Sequence, residues 1–144
     1  MRRFIKYKRK GKGGKASVDW QDAADIKLRV DGLANELSLD WLDTSRLFCF
    51  RSENSKSRAY ARIWGFSKVW QKALNQEPAY VIEVLSEKFD SLSKQKQDEI
   101  LLHEIAHIPK NFSGSLLPHI RKRGKRNFED RVRELVELNR KNSR

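Results

Sequence analysis

Leu101-Leu102-His103-Glu104-Ile105-Ala106-His107-Ile108-Pro109 contains the pattern His-Glu-x-x-His. On a helix, residues four apart project from the same face, one turn above the other. His103 and His107 can therefore grip one zinc ion from a single rigid element. Glu104 follows the first of them, where its carboxylate can reach a water on that metal. Two imidazoles and a neighbouring general base are the pattern of metal-assisted peptide hydrolysis. The chain has three histidines, and the third, His119, lies twelve residues past His107. A lone histidine on a half-apolar helix is usually an ordinary core or surface residue. Here the pattern, the helical context and a third imidazole coincide.

Working outward, Ser93 is placed to cap this helix and Pro109 to stop it. Upstream, Tyr80–Leu85 is the clearest strand, and the polar segment 86–92, with Phe89 inside it, links the two. Arg46–Arg51 and Ala59–Trp64 read as further strands, the second stopped by Gly65 and the pair separated by a polar loop over 52–57. Ser67–Leu74 fits a short helix. Ser17–Leu37 reads as a first helix, capped by Ser17, with Ala23, Ile26, Val30, Leu33 and Leu37 as its apolar stripe. Leu39–Asp43 looks like a short helical turn carrying Trp41 into the core. Downstream, Gly114 can take a positive φ in a turn that presents His119. Asn127, with Asp130 three residues on, suits the cap of a last helix whose stripe is Phe128, Val132, Leu135 and Val136.

The expected fold is α+β: a compact zincin-like domain, its small sheet packed by the metal-binding helix and flanked by N- and C-terminal helices. Residues 1–16 read as a disordered basic arm and 17–144 as one domain. No apolar run is long enough for a transmembrane helix, and the basic N-terminus lacks the apolar core of a signal peptide. The single Cys49 cannot form an internal disulfide and reads as a buried small hydrophobe. A cytoplasmic protein without membrane contact is expected.

The net charge of +12 is unevenly placed. Residues 1–15 hold eight Lys/Arg and no acid, and residues 119–144 hold ten against four acids. Between them, thirteen bases face fifteen acids. Basic ends attract phosphate backbones or acidic proteins without specifying which. The arm, with Phe4 and Tyr7, and the run 121–126 are therefore candidates for non-specific nucleic-acid contact, or simply solubilising segments. Nothing in the sequence resembles a recognition helix or a base-reading sheet.

Ala59-Tyr-Ala-Arg-Ile-Trp-Gly65, Tyr80-Val-Ile-Glu-Val84, His103-Glu-Ile-Ala-His-Ile-Pro109, Phe112-Ser-Gly114 and Pro118-His119 together resemble the archaeal and phage putative metallopeptidase family. The likeness covers roughly residues 17–140. It implies a zinc-dependent peptidase with His103, His107 and His119 as ligands and Glu104 as base. Other zincin branches fit less well. Metzincins place the third histidine six residues after the second. Gluzincins take a glutamate from a later helix, which makes Glu129 a rival to His119, although an acid in a first helical turn also simply complements the helix dipole. Peptide deformylases use a cysteine in a Gly-Cys-Leu segment, which Phe48-Cys49-Phe50 does not match.

Zinc on three neutral imidazoles would leave one position for water, from which Glu104 takes a proton during attack on a peptide carbonyl. Tyr60, Tyr80 and Arg121 are candidate oxyanion stabilisers. Either Ala59–Trp64 or Tyr80–Leu85 could be the edge strand on which an extended substrate pairs. The alternative function is a nucleic-acid-associated protein whose metal centre is structural, or serves a protease tethered to DNA or RNA by its basic ends.

Overall fold

The computed structural model describes residues 17–119 and 127–143. The expected arm, Arg121 and the run 121–126 lie outside the described residues. The elements are β1 (Asp19–Asp22), α1 (Ala24–Glu36), a 3-10 turn (Thr44–Arg46), β2 (Leu47–Glu53), β3 (Ala61–Gly65), α2 (Lys68–Leu74), β4 (Tyr80–Leu85), α3 (Ser86–Phe89), α4 (Lys94–Ala106) and α5 (Phe128–Asn142). The α+β class is as the sequence leads one to expect.

The sheet runs β1-β2-β4-β3. β2 and β4 are parallel, and the outer pairings are antiparallel. Side chains alternate between faces along a strand. Leu47 and Cys49 of β2, Tyr80, Ile82 and Val84 of β4, and Ala61 and Ile63 of β3 thus share one face. That face packs on Ile26, Val30 and Leu33 of α1 and Leu101, Leu102 and Ile105 of α4. Ile82, Leu102 and Ile105 are completely buried, and burying such a side chain stabilises by roughly 1.5–3 kcal/mol. β4 is apolar almost throughout because it lies between two strands and beneath helices. Arg51, at the rim of this face, clasps Asp25 of α1 through both terminal nitrogens (2.5 and 2.8 Å) and also bonds Asp90.

Several expectations need correction. The first helix does not begin near Ser17: residues 19–22 form β1, and α1 starts at Ala24. The apolar stripe from Ala23 onward is right, and all five of its residues are buried. The error lies in Asp19-Trp-Gln-Asp22, whose acids suit a helix start but whose backbone pairs with β2. Leu39–Asp43 makes turns rather than helix, with the 3-10 turn just beyond, and Trp41 is only partly buried. Ser52 belongs to β2 and is buried, not in the polar loop. Residues 86–92 include α3, whose Phe89 is fully buried. α2 forms as expected, yet Val69, Trp70 and Leu74 face solvent.

Candidate metal centre

α4 carries the His-Glu-x-x-His pattern. Ser93 Oγ accepts from the Lys96 N–H (3.3 Å) and caps its start. Arg29 of α1 anchors the first turns, donating to Gln97 (2.6 Å), to the Lys94 carbonyl (3.2 Å) and to Asp98. Leu101, Leu102, Ile105 and Ala106 bury the face toward the sheet. His103 and His107 share the opposite side, as four-residue spacing requires. The helix proper ends at Ala106, with His107 as its C-cap.

The chain then turns back through a clamped loop. Gly114 has φ +93, and a Cβ there would lie 2.2 Å from the Phe66 carbonyl oxygen. Its N–H donates to the Tyr80 hydroxyl (2.8 Å), which itself donates to the Ser115 carbonyl (2.7 Å). Gln71 holds the Ser113 carbonyl (2.9 Å). The Leu117 N–H then donates to the His107 carbonyl (2.7 Å). That bond satisfies a carbonyl the helix end would otherwise leave unpaired. The Leu117 carbonyl lies 2.6 Å from His107 Nδ1. A carbonyl can only accept, so Nδ1 carries the hydrogen and Nε2 keeps its lone pair.

His119 follows two residues later. One ring nitrogen from each of His103, His107 and His119 lies within 4.8 Å of the other two, a group able to hold a metal ion. The ring centroids are 4.5 to 5.2 Å apart. Burial, with the neighbouring imidazoles His107 and His119, pushes the His103 pKa down to about 4. Burial also lowers that of His107, with His119 adding to the effect and the Leu117 carbonyl opposing it. Both rings are thus held neutral, the form a ligand needs.

Glu104 is 8% exposed, and burial raises its carboxyl to about 7. It opens with all three histidines onto a cleft of about 870 Å³, walled by Ile63, Ile100, Leu116 and Val136. Tyr60 lines the same cleft. Tyr80 does not qualify as an oxyanion donor, because it is buried and its hydroxyl is committed to the loop. Glu129 is exposed and outside the histidine group.

Phe128 is the site residue that sequence reasoning missed. It appeared only as the first member of the last helix's apolar stripe. In the structure its ring stacks on His107 (centroids 4.2 Å, 24°) and meets His119 and His103 edge-on at 4.5 and 5.2 Å. No local spacing announces a contact made between α5 and α4. Asp130 caps the turn beneath it, accepting from the Asn127 N–H (3.1 Å).

A family model described as "Putative phage metallopeptidase" matches residues 18–138. The chain belongs to that family. Membership in the phage metallopeptidases agrees with the resemblance carried by the sequence motifs, and at a coarse level it points to a peptidase acting on peptide or protein. No curated protein and no solved structure matches the chain.

Proposed function

We propose that this protein is a zinc-dependent peptidase in which His103, His107 and His119 hold the metal and Glu104 is the general base. The observation that carries the reading is the convergence of three imidazole nitrogens within 4.8 Å beside a buried carboxylate. Zn–N bonds of about 2.0–2.1 Å put tetrahedral ligands about 3.4 Å apart, so small side-chain adjustments suffice. When bound, the cation supplies a Lewis acid and lowers the pKa of water at the site.

The protein's own residues do the rest. Leu117 fixes the tautomer and direction of His107, and Phe128 limits the tilt of all three rings. Glu104 accepts a proton from the attacking water and delivers it to the leaving amine, a role suited to a group titrating near neutrality. Tyr60, half-exposed at the cleft, is the candidate oxyanion donor among the described residues. β4 has partners on both sides, whereas among the described residues β3 pairs only with β4. The free edge of β3, beside the cleft, is therefore where an extended substrate adds as a strand. Residues 17–144 would form this peptidase as one domain. A structural metal centre would need a fourth protein ligand, and no fourth His, Cys, Asp or Glu joins the group among the described residues.

The test is cleavage of a broad peptide library, read by mass spectrometry, with zinc-loaded wild type and Glu104→Gln. The amide keeps the shape but cannot take the proton. Turnover should fall by about 10²- to 10⁴-fold with zinc content unchanged. Full activity in the variant would move the base elsewhere, and loss of zinc would make Glu104 a ligand.

A further inference from the structure

Among the described residues, the helices cover one face of the sheet and leave much of the other exposed. Register places Phe48, Val81 and Trp64 side by side on β2, β4 and β3. Phe50, Glu83 and Arg62 form the next row, and Trp20 lies beyond it opposite Ser52. Trp20, Phe48 and Trp64 are 53%, 44% and 49% exposed. Phe48, Trp64, Val81 and Arg46 line a hollow of about 350 Å³.

Trp64 is held in place. The Trp64 indole N–H donates to the buried Glu83 carboxylate (2.9 Å). Arg62 donates to the same carboxylate (3.0 Å), and its guanidinium lies 5.1 Å from the Trp64 ring centroid. Ser52 Oγ completes the cluster (2.6 Å). Rigid aromatic rings bind at little entropic cost.

The flanking charge is mostly positive. Residues 54–76, which include β3 and α2, hold Lys56, Arg58, Arg62, Lys68 and Lys72 and no acid. All but Arg62 are exposed. Residues 1–15, eight Lys/Arg without an acid, lead into β1 and Trp20. Against these, Glu83 is neutralised by Arg62, and Asp22 is the one exposed acid among the face positions named by the register with Phe50.

We propose that this open face is a binding platform for single-stranded nucleic acid. Bases stack on Trp20, Phe48 and Trp64, and the flanking cations take the phosphates. A duplex hides its base faces, so a flat aromatic surface selects unpaired strands. Stacking tolerates any base, so sequence preference is weak. The metal centre opens mainly on the other side of β3, through Ala61 and Ile63, with Arg62 at the rim of its cleft.

The experiment is an anisotropy titration of the full chain with labelled dT20, rU20 and a 20-base-pair duplex at two salt concentrations, with tryptophan emission followed in parallel. Both single strands, or one of them, should bind more tightly than the duplex and quench the emission. A preference between dT20 and rU20 identifies the natural class. Phe48→Ala and Trp20→Ala should each weaken single-strand binding by about 5- to 100-fold. Trp70→Ala, on α2 and off the sheet, should not. Phe48→Ala is the cleanest variant because Phe48 takes no part in the Glu83 cluster, and circular dichroism checks that it folds. Wild-type affinity in both variants, equal affinity for duplex, or no binding at low salt overturns the proposal. Self-association abolished by Phe48→Ala, without oligonucleotide binding, would give the face to a second copy of the chain instead.

Discussion

Leu117 is tied to His107 through both of its backbone polar groups: its N–H donates to the His107 carbonyl at 2.7 Å, and its carbonyl accepts from His107 Nδ1 at 2.6 Å. One residue thereby closes the end of α4, sets the tautomer of an imidazole and places His119 two positions later. This pairing fixes the relative positions of the proposed ligands. Leu117→Pro removes the donor and should lower zinc affinity by about 10- to 100-fold with little change in far-ultraviolet circular dichroism. Unchanged affinity, measured by competition with a chromophoric chelator, would show that His119 is placed by other means.

Metal content should be about one zinc per chain, the ratio of one three-histidine site. His103→Ala or His107→Ala should abolish tight binding and His119→Ala should weaken it. Glu129→Ala should leave it nearly unchanged, since Glu129 is exposed and does not join the histidine group. Elemental analysis after gel filtration decides. The opposite order for the last two variants would return the third ligand to the glutamate.

Gly114→Ala should destabilise the fold by about 2–3 kcal/mol, through strain at positive φ and collision with the Phe66 carbonyl. The loop it distorts also positions Leu117, so zinc affinity should fall with stability. Denaturant titration and metal competition on the same sample check both. A drop in stability alone would uncouple the loop from the imidazoles.

The histidine helix was legible because its chemistry and its spacing are both local. So were β4, apolar but for Glu83, and the stripe from Ala23 to Leu37. β1 was not legible, because Asp19–Asp22 becomes a strand only by pairing with residues 50–53, far along the chain. Phe128 escaped for the same reason, and so did the fate of Tyr80, whose hydroxyl partners lie more than thirty residues away. Glu83 looked like an ordinary polar position in a strand. Its burial becomes intelligible only once Ser52, Arg62 and Trp64 arrive from two other strands.

Glu83 makes stability depend on acid. Burial alone would raise its pKa, but hydrogen bonds from Ser52, Arg62 and Trp64, with a contribution from Trp20, more than offset this and leave it below the ordinary value. A folded-state pKa below the unfolded one, about 4.3, gives stability that is complete above that pH and lost as pH falls through the folded value. Glu83→Gln should flatten this acid limb of the stability curve. Arg62→Ala should cost about 2 kcal/mol near pH 7, less than a fully buried pair because the guanidinium is about one-third exposed. Urea midpoints between pH 3 and 7 test both, and parallel acid limbs in wild type and Glu83→Gln would assign the effect to other carboxyls.

Phe128 sits against all three imidazoles but belongs to the last helix. During synthesis, α4 leaves the ribosome with His103 and His107 well before α5 follows. Until Phe128 emerges, the rings lack the surface that orders them. Once His119 has followed them, and until Phe128 emerges, the nascent chain carries all three imidazoles without the ring that packs against them, so the cluster is ordered only when α5 has been made.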